Sequence, residues 1–244
     1  MRKFLIFDVD KSLATLGNAE QLMKVTGGVP PFRVNNGVLQ MRNALRILFT
    51  KQVKIEKHPL LGEPIETIEY VPTEACKKFG IEGLVIDTAS HMFRQDLRLL
   101  EEVKDSQGKV VKTRPLEMQD WGTMERNYGW LFGILRDLPV WVIVNCHMKK
   151  DKNDISGGFY FEAQMKGQAA GFIREYFDVV AYTKVANGPK PAFMWQTRPD
   201  DGKPAKDRIE VLPALMDQNH STILDAYAKQ GYLAPKILVI GESG

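Results

Sequence analysis

Short aliphatic runs that stop abruptly at an acidic or polar residue recur along this 244-residue chain, and they constrain its fold more than any other feature. Lys3 to Val9, Gly83 to Ile86 ending at Asp87, Val140 to Val144 and Lys236 to Ile240 are four such runs, and Val179 to Tyr182 is a fifth. Each is short for a helix and too continuously apolar for a strand with one wet face. Such runs suit strands of a parallel sheet covered on both sides. Helical periodicity lies between them. Behind Asp120, placed to cap, Trp121, Met124, Tyr128, Leu131, Leu135 and Leu138 recur at spacings of three and four and form one apolar stripe. Gln40 to Phe49, Ser90 to Val103, Gly167 to Phe177 and His220 to Lys229 read as further helices. Strands alternating with helices predict an α/β fold, a three-layer sandwich around a mostly parallel sheet.

Two stretches break the alternation. Val53 to Val71 holds two β-prone arms around a Pro/Gly turn and predicts a hairpin. Lys149 to Gly158 is polar and glycine-rich, and reads as a flexible loop after a strand. Neither has the composition of a linker, and no internal repeat is present. The expectation is one domain over residues 1–244 with a hairpin insertion at 53–71. No apolar run approaches the roughly 20 residues of a membrane span, and the N-terminal apolar stretch is too short for a signal peptide. Two cysteines, Cys76 and Cys146, make neither a disulfide framework nor a metal cluster, so a cytoplasmic, reduced protein is expected. The net charge of +3 is mild, with basic residues gathered at 149–152 and 203–208. That balance is compatible with nucleic acid without demanding it.

In an open parallel sheet, ligands bind beyond the carboxyl ends of the strands. The residues ending these runs are Asp8 and Asp10, Asp87, Asn145 and His147, and the turn Gly241-Glu242-Ser243-Gly244. Nucleotide chemistry uses such a set. A carboxylate past an aliphatic strand holds Mg²⁺, a second orients water, and a polar group senses the γ-phosphate. Each also has a plainer use: Asp87 as a helix cap, Asp8 and Asp10 as a turn, His147 as a surface histidine. Their shared position at one predicted edge favours the functional reading.

The run KILVIGESG, Lys236 to Gly244, has the form of a buried strand opening into a phosphate loop, G-x-x-x-x-G-K-[ST]. Only the first half of that loop, Gly241 to Gly244, is present, without the Lys and Ser/Thr. Family resemblance sharpens this. EGLVIDTASHM resembles the Walker B strand of a RecA-like P-loop NTPase, with Asp87 as its acid. FLIFDVDKSLATLG is similar to the strand after the P-loop helix, with Asp10 in the catalytic-base position. VWVIVNCHMKK resembles the sensor strand, with His147 in the γ-phosphate-sensing place. The order of these motifs, with MKGQAAGFIREYFDVVAY and AKDRIEVLPALM after them, is similar to that of phage nucleotide-binding ATPases of the RecA/AAA type, including single-strand-annealing recombination ATPases. The resemblance covers about residues 3 to 215. It implies ATP and Mg²⁺ as ligands, with Asp87 and Asp8 at the metal, and single-stranded DNA and a ring or filament of like subunits as partners. The setting it implies is the cytoplasm of an infected host. Lys206 and Arg208 would be cations offered to nucleotide, or else a basic turn. In that family the P-loop comes first; here its opening comes last, so the order resembles a circular permutation or a cut within the P-loop.

A second resemblance runs through some of the same residues. FLIFDVDKSLATLG is similar to the D-x-D-x-[TS] motif of haloacid-dehalogenase-type phosphatases, which would make Asp8 a nucleophile and Asp10 its acid–base. Lys190 and Glu242 would then fill that family's later motifs. Lys11 and the Asn145-Cys146-His147 strand end depart from its pattern, and EGLVIDTAS and AKDR have no place in it. A third reading is a RecA-like scaffold without turnover.

Overall fold

The computed structural model describes residues 3–10, 23–24, 26–57, 59–152, 158–165, 169–186, 192–200 and 202–241. The chain opens with strand β1 (Phe4–Asp8), the two-residue β2 (Phe32–Arg33) and helix α1 (Gly37–Leu48). A hairpin follows, β3 (Phe49–Lys57) and β4 (Pro64–Pro72), then the short helix α2 (Glu74–Phe79). Strand β5 (Gly83–Asp87) leads into α3 (Ala89–Glu101), a small hairpin of β6 (Glu102–Lys104) and β7 (Val110–Thr113), and the long helix α4 (Met118–Asp137). Next come β8 (Trp141–Lys152), β9 (Phe159–Ala163), a one-turn α5 (Ala169–Phe172) running into a 3-10 turn (Ile173–Tyr176), and β10 (Val179–Ala186). The remaining elements are β11 (Ala192–Gln196), β12 (Lys206–Asp207), β13 (Leu215–Asp217), α6 (His220–Lys229) and β14 (Lys236–Gly241).

Among the described residues, one ten-stranded sheet runs in the order β13-β11-β10-β14-β8-β5-β1-β2, with β12 beside β10 and β9 beside β8. The six strands from β10 to β2 are parallel, and β11, β13, β12 and β9 add antiparallel edges. Alternation within each strand divides the core into two layers. Leu84, Ile86, Val142, Val144, Leu238 and Ile240 pack on the face covered by α1, α3 and α4. Ile143, Val179, Ala181, Ile237 and Val239 pack on the other face, against α6 and Trp195. This is the three-layer, mostly parallel α/β architecture of a RecA-like P-loop core. It is also why these strands read as unbroken apolar runs: both faces are dry.

The local differences from expectation have local causes. The hairpin 53–71 is longer than its apolar pattern, spanning Phe49–Lys57 and Pro64–Pro72. Asp120 is not the N-cap of α4, which begins after Glu117. It sits one turn in, accepting a hydrogen bond from the Glu117 N–H at 2.8 Å. Two further hydrogen bonds from Arg114, at 2.7 and 2.9 Å, hold the Asp120 carboxyl down to about 2. The loop expected over Lys149 to Gly158 is strand as far as Lys152, and residues 153–157 lie outside the described residues. Strand β8 continues to Lys152 and pairs with β9, from Met148 opposite Ala163 to Lys152 opposite Phe159. Lysines and an aspartate there hid a strand whose apolar partners all lie on β9. The helix expected over Gly167 to Phe177 is broken, α for Ala169–Phe172 and then 3-10 to Tyr176.

The start of α1 is secured from α3. Asp96, buried, accepts from the Val38 N–H through both carboxylate oxygens (3.2 and 3.0 Å) and from the Tyr128 hydroxyl at 2.7 Å. Gln95 accepts from the Gly37 N–H at 3.3 Å and donates to the carbonyls of Val9 and Val34. Gly37 has φ +52, and a Cβ there would collide with the Asp96 carboxylate, so both backbone conformation and space require glycine. The knot fixes where β1 and β2 end, and with them one side of the carboxyl edge.

Candidate functional site

The register of the parallel strands brings the strand-end residues together. Asp8 lies opposite Asp87, and Gly241 opposite His147. Residues 141, 143, 145 and 147 of β8 share a face, as do 237, 239 and 241 of β14, so Asp87, Asn145, His147 and Gly241 lie at one end of the α6-covered face. Asn145 Nδ2 donates to Asp87 Oδ1 at 3.1 Å across β5 and β8. Thr88, not Asp87, caps α3: its hydroxyl accepts from the His91 N–H at 3.2 Å. This leaves the Asp87 carboxylate at the edge and not on the helix terminus. Asp8 is buried at the same edge, only 3% exposed.

Asp10, two residues past the end of β1, stands beside two imidazoles. Asp10 Oδ2 lies 3.8 Å from His91 Nδ1, and the rings of His91 and His147 meet edge-to-face with centroids 5.4 Å apart. The His147 N–H donates to Ser90 Oγ at 3.0 Å, which ties β8 to the first turn of α3. Burial lowers the His147 pKa, and the neighbouring His91 and Arg94 lower it further, against the pull of Asp10 and Asp87. At neutral pH it is an uncharged imidazole that can both donate and accept. Cys146, between them, is buried and its thiol pushed up to about 12, so it stays protonated and inert.

Three clefts open along this edge. One of about 430 Å³ is lined by Val9, Asp10, His91, Arg94, Gln95 and Arg98. A second, about 330 Å³, includes Thr88, Asn145, His147, Thr183, His220 and Gly241. A third, about 500 Å³, lies beside Gly241 with Thr183, Lys184, Lys203 and Gln218. All have the size of small-ligand sites. A row of clefts with Asp10, Arg94 and Arg98 at one end and Lys184 and Lys203 at the other offers cations suited to a polyphosphate. Asp87 and Asp8 offer hard oxygen at adjacent strand ends, the donor type that Mg²⁺ takes; Asp87 is flanked by Thr88 and Asn145 of the second cleft, while Asp8 is buried behind it.

Asp8, Asp10, Asp87, His147 and Gly241 are therefore brought to one edge. Glu242, Ser243 and Gly244, like Lys190, lie outside the described residues. Lys206 and Arg208 are not part of this edge. Lys206 pairs with Val180 near the start of β10, at the opposite end of the sheet. Lys206 Nζ donates to the carbonyls of Arg174 (3.2 Å) and Phe177 (2.7 Å), and Arg208 lies 3.0 Å from the Asp178 carboxylate. In this chain they tie β12 to the end of the 3-10 turn, the work of a basic turn. Sequence reasoning missed His91, Thr183, Lys184 and His220. His91 was within reach, since it lies four residues after Asp87 and so in the first turn of the helix that follows a strand-end acid. Thr183 and Lys184 required knowing that β10 runs beside β14.

A mostly parallel sheet with acids at its carboxyl ends is the architecture of an α/β protein of the P-loop type. The sequence profile of the AAA domain family matches residues 1–209, and the chain belongs to that family. Its members are P-loop ATPase-like proteins that bind nucleotide, typically with Mg²⁺. The match takes in β1, β5, β8 and β10, while β14 lies outside it. No curated protein and no solved structure matches the chain. No helix among the described residues is long and apolar enough to cross a membrane.

Proposed function

We propose that this chain is the core of a phage-type RecA-like ATPase acting in DNA recombination or replication, binding adenine nucleotide with Mg²⁺. The observation that carries the reading is the position of β14. An aliphatic strand ending at Gly241 lies between β8 and β10, one strand from the Asp87–Asn145 pair. A phosphate loop opening from that strand would deliver phosphates to the clefts beside Asp87. Asp87 would support Mg²⁺ with Asp8 behind it, Asp10 would orient the attacking water, and neutral His147 would sense the γ-phosphate. Gly241 to Gly244 would form the first half of the loop. The strand that serves the loop follows the others in the chain, which fits a circularly permuted RecA-like core with the β3–β4 hairpin as an insertion. Lys206 and Arg208, away from this site, could serve nucleotide only in a neighbouring subunit of an oligomer.

Single-stranded DNA has a candidate surface on the β8–β9 hairpin. Lys150 Nζ sits 3.8 Å from the centroid of the Phe159 ring, and Lys203 Nζ 5.3 Å from that of Phe161. Phe159 is 56% exposed. Lysines against the exposed Phe159 ring and the partly buried Phe161 ring offer phosphate neutralisation and, at Phe159, base stacking.

The phosphatase reading is less well supported. A nucleophile must reach phosphorus, and Asp8 is buried while Asp10 is the residue that lines a cleft. Calorimetric titration with Mg²⁺ and a non-hydrolysable ATP analogue tests the proposal. Binding is expected, and Asp87→Ala should abolish it. Absence of binding together with Mg²⁺-dependent turnover of a simple phosphomonoester, lost in Asp8→Asn, would overturn it in favour of the phosphatase. Silence in both assays would leave a scaffold.

A further inference from the structure

We propose that Asp10, His91 and His147 form a site for an imidazole-preferring divalent transition-metal ion, with Zn²⁺ the first candidate, distinct in chemistry from the Mg²⁺ assigned to Asp87. The three residues come from separate places, past the end of β1, the first turn of α3 and the body of β8. Each nevertheless offers one ligand atom within 4.8 Å of the other two. Bonds of about 2.0–2.2 Å in a tetrahedral shell put ligand atoms roughly 3.3–3.6 Å apart. The Asp10–His91 separation of 3.8 Å is already close to that. Closing the rest takes small side-chain rotations, His91 being 37% and Asp10 16% exposed.

Three observations favour an ion over a plain polar cluster. First, His91 Nδ1 is enclosed and makes no hydrogen bond among the described residues, although it lies within 3.8 Å of a carboxylate oxygen. That distance is too long for a hydrogen bond and suits two ligands of one ion. Second, the backbones carrying both imidazoles are held in place. The His91 N–H is bonded to the Thr88 hydroxyl and the His147 N–H to the Ser90 hydroxyl. These bonds leave the rings to coordinate without a change of fold. Third, the cleft of about 430 Å³ reaches Asp10 and His91 from solvent, giving an entry path and space for water in the remaining coordination positions.

The donor set selects the ion. Two imidazoles and one carboxylate suit Zn²⁺, Co²⁺, Mn²⁺ or Fe²⁺, and the three-ligand pattern leaves positions open. Mg²⁺ demands an oxygen shell and is a poor match for two nitrogens.

A bound ion would occupy Asp10 and His147 and so replace the water-orienting and γ-phosphate roles proposed for them above; the test uses the whole chain, stripped of metal and free of nucleotide, so that metal binding and nucleotide binding are read separately. Zn²⁺ is titrated against a chromophoric chelator, and Co²⁺ binding is followed by ligand-field absorption. One equivalent of tight Zn²⁺ binding is expected per chain, with a four- or five-coordinate Co²⁺ spectrum. His91→Ala should weaken Zn²⁺ binding by about 100-fold, and Asp10→Asn by at least about 10-fold, on the scale by which even supporting groups tune metal sites. His91→Cys keeps a ligand, so it should retain the site and add a thiolate-to-Co²⁺ charge-transfer band; this covers the case in which His91→Ala fails to fold. Weak binding that is the same in wild type and His91→Ala, or a His91→Cys protein without that band, overturns the proposal.

Discussion

Two polar clusters, both anchored on α3 and only five residues apart in sequence, are built on opposite principles. Around Asp96 every bond is closed. The carboxylate takes the Val38 N–H and the Tyr128 hydroxyl, Gly37 leaves no space for a Cβ, and Tyr128 is fully buried. Around His91 the geometry is open: a carboxylate at 3.8 Å, a second imidazole edge-on, and a cleft leading out. A closed cluster holds elements together and gains nothing from a ligand. An open one is held together by its scaffold and has valence left to offer. Asp96 is buried and His91 partly exposed, but it is the state of the hydrogen bonds that separates structure from chemistry.

The largest effect that would break this contrast is expected at Asp96. Asp96→Ala leaves two buried donors, the Val38 N–H and the Tyr128 hydroxyl, without acceptors. That should cost about 3 kcal/mol, at roughly 1–3 kcal/mol per orphaned group less the relief of not burying a carboxylate. Urea unfolding measures it, and a loss below about 1 kcal/mol would mean that the knot is not closed.

Asp96 also predicts a pH dependence. Burial, opposed by the bonds from Tyr128 and Val38, pushes its carboxyl from the ordinary 3.8 up to about 6. Between those values the native state holds a proton that the unfolded chain has released. Stability should therefore fall as pH rises from about 4 to 6, by at most about 3 kcal/mol. In Asp96→Asn this component should vanish. Unfolding free energies at pH 4, 5, 6 and 7 for both proteins check the sign.

Lys206 tests the same principle at a smaller scale. Its ammonium donates to two carbonyls at the end of the 3-10 turn, and Lys206→Met should cost about 1 kcal/mol in thermal or urea unfolding. A neutral outcome would release Lys206 from its structural role.

What could be read from the sequence follows the same division. Strands β1, β5 and β14 were legible because a doubly covered strand stays apolar until it ends, β10 only over its apolar half, Val179 to Tyr182, and α4 because its stripe is one-sided. The carboxylates Asp8, Asp10 and Asp87 and the histidine His147 were legible because they stop those runs. The β8–β9 pairing was not, since Lys149 to Lys152 read as loop until Phe159 to Ala163 is seen opposite them. Neither were Gln95 and Asp96. Their partners Gly37 and Val38 are 58 residues away, and a mid-helix acid has no local signature. Lys206 and Arg208 were legible as a basic turn but not by location, which depends on β12 pairing with the first residues of β10.

The smallest effect sharpens the comparison most. His91 packs at an open cleft, and its Nδ1 makes no hydrogen bond among the described residues. In metal-free protein, His91→Ala should therefore change stability by less than about 0.5 kcal/mol, the usual range for side chains outside core and network. With free Zn²⁺ at 100 times its dissociation constant the wild type should gain about 2.7 kcal/mol, because the ion binds only the folded state, while the variant gains little. The two clusters then separate by experiment: Asp96 carries its stabilisation at all times, and His91 only when the ion is present. A His91→Ala protein destabilised by several kcal/mol without metal would place His91 with Asp96, as part of the structure rather than its chemistry.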